Sequence, residues 1–78
     1  MNTMRSPKNK YQGVINFDQP VEEIGSVVRF TSNDINDLKS LCEAQAKKYA
    51  CRITILENKA TYPQFNWVEV EKYNFNKK

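Results

Sequence analysis

The chain has 78 residues, of which 40% are hydrophobic, 27% charged and 12% aromatic, with only 2 Gly and 3 Pro, a balance that fits one small folded domain and excludes a multi-domain enzyme or a collagen-like chain. The formal net charge is +3, from 12 Lys and Arg against 9 Asp and Glu, but Arg5, Lys8, Lys10, Lys77 and Lys78 sit at the ends, leaving residues 11 to 76 with 7 basic and 9 acidic groups. With no histidine and only Cys42 and Cys51, a four-thiolate or mixed Cys/His zinc site is excluded, and no metal or cofactor is expected.

The opening residues, MNTMRSPKNK, have no hydrophobic periodicity and no apolar leader segment, so residues 1–10 are expected to be a flexible basic arm. No apolar run approaches the roughly 20 residues of a membrane span, and a cytoplasmic location is expected. A single domain is placed at 11–76 and a basic tail at 77–78.

From Tyr11 to Phe17 the chain alternates, with Tyr11, Gly13, Ile15 and Phe17 on one side and Gln12, Val14 and Asn16 on the other, as a half-buried strand requires. Asp18, Gln19 and Pro20 are expected to break it, with an acidic connection over Val21 to Gly25. The extended pattern resumes at Ser26 to Thr31, Val28 and Phe30 facing one way and Val27 and Arg29 the other. The acids of the connection, Asp18, Glu22 and Glu23, have the charge to mimic phosphate, but three carboxylates in a loop are ordinary.

Thr31, Ser32, Asn33 and Asp34 supply side-chain oxygens suited to free helix N–H groups, and Thr31 with Asp34 has the spacing of a capping box. A helix is expected to follow, with an apolar stripe of Ile35, Leu38, Leu41, Cys42, Ala46 and Tyr49. Asp34 and Asp37 fall in its first turn and Lys47 and Lys48 in its last, matching the helix dipole. Lys39, Lys47 and Lys48 are expected on a solvated outer side, with Glu43 paired to Lys47 at i,i+4. Cys42 and Cys51 are read as two buried free thiols.

The segment CRITILE then alternates at period two, with Cys51, Ile53 and Ile55 inward and Arg52, Thr54 and Leu56 outward. Asn58 to Gln64 is polar, contains Pro63 and is read as a turn. In the last strand, within FNWVEVEKYNF, Val68 and Val70 are expected inward, and Trp67, Glu69, Glu71 and Tyr73 outward. The fold class is α+β with two layers: a single antiparallel sheet of about four strands packed on one helix, in the order strand, strand, helix, strand, strand.

One helix covers only one side of such a sheet. The open side is expected to carry Arg29, Arg52, Thr54, Leu56, Trp67, Glu69, Glu71 and Tyr73, with Val14 and Val27 at its margin, and partner binding is assigned to Arg29, Arg52, Trp67, Glu69 and Tyr73. Trp, Tyr and Arg are the types most enriched at interface hot spots. The structural alternative is that Arg29 and Arg52 pair with Glu69 and Glu71, with Trp67 covering them or turned into the core. Glu69 and Glu71 would stand about 6 to 7 Å apart, a separation also found between glycosidase carboxylates, but an open sheet offers no cleft to split their pKa values. No enzyme is expected.

A short helix rich in Ala and Lys, the extended CRITILE segment, a turn and a WVEVEKY strand resemble, in their order over residues 26 to 73, small phage-encoded proteins that disable host defence, notably a subgroup of type I anti-CRISPR inhibitors. The resemblance implies a stoichiometric inhibitor, monomeric or homodimeric, that binds a host protein or ribonucleoprotein such as a crRNA-guided surveillance complex and blocks DNA recruitment. Contacts would come from Arg29, Arg52, Trp67 and Tyr73. The charge of +3 departs from strongly acidic DNA mimics and favours surface blocking. The alternative is a small nucleic-acid-binding protein acting through Arg5, Lys8, Lys10, Lys77 and Lys78, and a third class is an oligomer assembled through a sheet edge.

Overall fold

A computed structural model describes residues 10–60 and 64–77. The order is β1 (Tyr11–Val21), β2 (Gly25–Ser32), α1 (Ile35–Ala46), β3 (Cys51–Asn58) and β4 (Trp67–Phe75). The strands form one antiparallel sheet in the spatial order β2-β1-β3-β4, with the helix between β2 and β3 in sequence. This is the expected α+β architecture. Of the arm expected at 1–10, residues 1–9 lie outside the described residues; at Lys10 the N–H donates to Asn33 Oδ1 at 2.9 Å and the carbonyl accepts from the Asn58 N–H at 2.8 Å.

Alternation in β1 and β3 decides which side is buried. Gly13 stands opposite Ile55, Ile15 opposite Ile53 and Phe17 opposite Cys51. These residues meet Leu38, Cys42 and Ala46 of the helix to form the core, and Ile15, Leu38, Ile53 and Ile55 are fully buried. Each of these four side chains contributes roughly 1.5–3 kcal/mol by leaving water. The helix comes so close to β1 that a Cβ placed on Gly13 would lie 2.6 Å from Cys42 Sγ and 3.2 Å from the Leu38 side chain. Cys42 and Cys51 are buried and free, as expected.

Four local expectations are corrected. β1 does not stop at Phe17 but continues through Pro20 to Val21; its register with β2 breaks between Asn16 and Val21, so the missing N–H of Pro20 falls where no continuous ladder needs it. The helix N-cap is Asp34 rather than Thr31, which lies in β2. Asp34 Oδ1 accepts from the Asn36 N–H at 2.8 Å and the Asp37 N–H at 3.3 Å. The helix also ends early, at Ala46, because Lys47 takes a positive φ of 52°, so Lys47 and Lys48 lie beyond its last turn. Finally, Leu41 and Tyr49 are 45% and 43% exposed; the buried stripe runs only through Leu38, Cys42 and Ala46, a width set by a sheet that touches one side of the helix.

The fourth strand carries the largest correction. Glu71 stands opposite Ile55, but Glu69 stands opposite Leu56, so Val70 is an extra residue in β4. Such a bulge interrupts the period-two alternation and reverses the facing of everything beyond it. Glu71, Tyr73 and Phe75 align with Ile55, Ile53 and Cys51 on the helix side, whereas Lys72 and Asn74 align with Thr54 and Arg52 on the open side. Val70 is not core; it is 42% exposed, and Val68 is 39% exposed.

Candidate functional site: the open face of the sheet

The sheet side opposite the helix is built from the odd positions of β2 and the even positions of β1 and β3. Its rows follow from the pairings: Arg29 with Val14 and Thr54, Val27 with Asn16 and Arg52, and Thr31 with Gln12 and Leu56. On β4, Trp67, Glu69, Lys72 and Asn74 complete it, opposite Asn58, Leu56, Thr54 and Arg52. No described element covers this side.

Of the residues expected there, Arg29, Arg52, Trp67 and Glu69 are on it. Tyr73 is not. The bulge at Val70 turns Tyr73 toward the helix, where its hydroxyl donates to Glu43 Oε2 at 2.8 Å. Glu71 is turned the same way and pairs with Lys39 at 2.5 Å, while the Lys39 ammonium stands 6.0 Å from the Tyr73 ring centre. Glu43 therefore does not take the expected Lys47 as its partner. The expected Glu69 and Glu71 pair is also split between the two sides of the sheet, so those carboxylates do not face a common substrate position.

This redistribution changes the electrostatics. With Glu71 on the helix side, the basic side chains of the open face are Arg29, Arg52 and Lys72, and its acids are each ion-paired: Glu69 lies 3.8 Å from Lys72, and Asp18, at an even position of β1, lies 3.3 Å from Lys77. The expected Arg–Glu pairs are not formed: among the described residues neither Arg29 nor Arg52 has an ion-pair partner, and both are exposed. A domain whose body is slightly acidic by count thus turns a cationic side to solvent.

One corner of the face is aromatic. Trp67 stacks with Phe65, ring centres 5.9 Å apart and planes 14° from parallel, and Phe65 is 51% exposed. Phe65 precedes β4 in a loop closed by Asn58, whose Oδ1 accepts from the N–H groups of Ala60 at 3.0 Å and Asn66 at 2.8 Å. The Lys59 N–H to Asn66 carbonyl bond at 3.0 Å completes that closure. Phe65 was not among the expected site residues, although its two-residue separation from Trp67 is the sequence signal that places both rings together.

The basic ends are partly engaged. Lys10 pairs with Glu57 at 3.3 Å, and Lys77 with Asp18 at 3.3 Å. Hydrogen bonds from Lys59 and then Lys10 hold the Glu57 carboxyl below the usual carboxylate range. Arg5, Lys8 and Lys78 lie outside the described residues. Among the described residues no cluster of His, Cys, Asp and Glu has the arrangement of a metal site, and no helix is long and apolar enough to cross a membrane. No family model, curated protein or solved structure matches the chain.

Proposed function

We propose that this chain is a non-enzymatic binding module whose working surface is the open face of the sheet and whose partner presents negative charge to it. The observation that carries this reading is the pair of exposed guanidinium groups, Arg29 and Arg52, with no ion-pair partner among the described residues, on a face no described element covers. Arginine presents a rigid fork of donors suited to carboxylate or phosphate, and its contact with partners is strongest where no internal acid competes. Trp67 at the margin adds the kind of anchor that dominates binding energy.

The resemblance to small phage-encoded inhibitors supplies the target class: a host defence ribonucleoprotein, such as a crRNA-guided surveillance complex in the cytoplasm, which the chain would block stoichiometrically by occupying a surface needed for DNA. The experiment compares immobilised wild-type protein with the Arg29→Gln/Arg52→Gln variant for retention of purified crRNA-guided complexes. Retention by wild type and its loss in a variant of unchanged melting temperature supports the reading. Equal retention by both contradicts the surface, and retention by neither contradicts the target.

A further inference from the structure

Resting on that choice of surface, we infer that the open face takes single-stranded nucleic acid, with unpaired bases stacking at the Phe65–Trp67 corner and the phosphate backbone crossing toward Arg52 and Arg29. Two independent features share the face. One is cationic: two guanidinium groups with no ion-pair partner among the described residues. The other is a pair of nearly parallel rings, of which Phe65 is half exposed. An acidic peptide would use the first and leave the second idle, whereas a single strand uses both, since stacking platforms beside basic grooves are the general means of holding it.

The spacing suits a chain rather than a compact ligand. Arg29 and Arg52 are two strands and one row apart, about 12 Å between Cα positions, and Trp67 is about 20 Å from either, so one ligand touching all three must be extended. A duplex fits less well because its bases are already stacked and paired, and rings at the level of a sheet surface meet only bases that are free. Base stacking is tolerant of sequence, so the site is expected to bind without strong base preference.

Trp67 is the sole tryptophan, so its fluorescence reports directly on the corner. The test titrates full-length protein with fluorescein-labelled single-stranded oligothymidylate about a dozen nucleotides long, reading anisotropy of an end label and, with unlabelled strand, tryptophan emission. The inference expects saturable binding with quenching of Trp67, affinity that falls steeply with salt, weaker binding of duplex of the same length, and losses of about tenfold or more in Phe65→Ala and in Arg29→Gln/Arg52→Gln. Phe65 lies outside the core, so its replacement leaves the fold intact, checked by melting temperature. Binding that is insensitive to these variants and leaves Trp67 unquenched overturns the inference in favour of the basic ends. Binding of a polyglutamate peptide but not of the oligonucleotide overturns it in favour of an acidic protein surface and leaves the proposed function standing; binding of neither removes both.

Discussion

The Tyr73 hydroxyl donates a hydrogen bond to Glu43 Oε2 over 2.8 Å and, with the Lys39–Glu71 ion pair, joins the edge strand β4 to a helix whose backbone lies over β1, β2 and β3. Burial first, and then this hydrogen bond and the negative charge of Glu43, raise the pKa of the phenol above its ordinary 10.0. The unfolded chain therefore loses its Tyr73 proton at lower pH than the folded one. Stability from this group is complete below about pH 10 and declines as pH rises beyond it. Tyr73→Phe is expected to lower stability at neutral pH by about 1 kcal/mol, less than a fully buried charged hydrogen bond because the site is only part-buried. Urea denaturation measured from pH 7 to 11 should show a shallower alkaline decline in the variant; an unchanged decline would show that this phenol does not titrate with unfolding.

Gly13 is required by close approach rather than by backbone conformation. Replacing it with Ala puts a methyl group against Cys42 Sγ and the Leu38 side chain, both fully buried. Overpacking of this kind costs about 1–3 kcal/mol, and a fall in the thermal midpoint of Gly13→Ala measures it. The double variant Gly13→Ala/Cys42→Ala, which opens the space again, should recover part of the loss.

The two thiols are expected to be inert in the folded protein. Burial, followed by the charge of Glu43 and the neighbouring Cys51, pushes Cys42 up to about 11, and burial followed by Asp18 raises Cys51. Thiolate is the reactive form. Alkylation at pH 8 should therefore be slow in native buffer and fast in denaturant, with both cysteines modified together as the chain unfolds; rapid native labelling of either would show that its side of the core opens.

Deletion of Val70 tests what the bulge does. Without Val70 the register of β4 with β3 is continuous, Glu69 standing directly before Glu71, so Glu71, Tyr73 and Phe75 stay on the helix side and Trp67 and Glu69 stay on the open side. The deletion is therefore expected to change stability by about 1 kcal/mol and to leave the quenching of Trp67 by acrylamide unchanged, whereas altered quenching would show that the outward facing of the indole depends on the extra residue.

The contrast between what alternation reveals and what it hides follows from the same strand. In β1 and β3 the apolar residues recur at every second position, so the facing of Ile15, Ile53, Arg52 and Thr54 is legible, as is the placement of Arg29 on the open side. In β4 both sides carry mixed residues: Val68 keeps the helix-side parity opposite Glu57 yet is 39% exposed, and nothing in WVEVEKY signals that Val70 stands outside the ladder. Only pairing with β3 reveals it, because Glu71 must stand opposite Ile55 while Glu69 stands opposite Leu56. Trp67 and Glu69 kept their expected side, while Glu71 and Tyr73 exchanged theirs. The early helix end was hidden for a related reason. Lys47 and Lys48 have good helix propensity and suit the dipole, yet the chain turns at Lys47, where the Asn76 side chain donates to the carbonyl oxygens of Lys47 and Tyr49, a contact from the far end of the sequence.

The central claim is that the side of the sheet away from the helix is where this protein meets its partner. Backbone amide chemical shifts followed during titration with whichever anionic probe binds, oligothymidylate or polyglutamate, test it most directly. The changes are expected to gather around Val14, Arg29, Arg52, Thr54 and Trp67 and to leave Leu38, Cys42 and Ala46 in place. Changes confined to Lys10, Lys39, Lys47, Lys48 and Lys77, with the amides of Arg29, Arg52 and Trp67 unmoved, would contradict it.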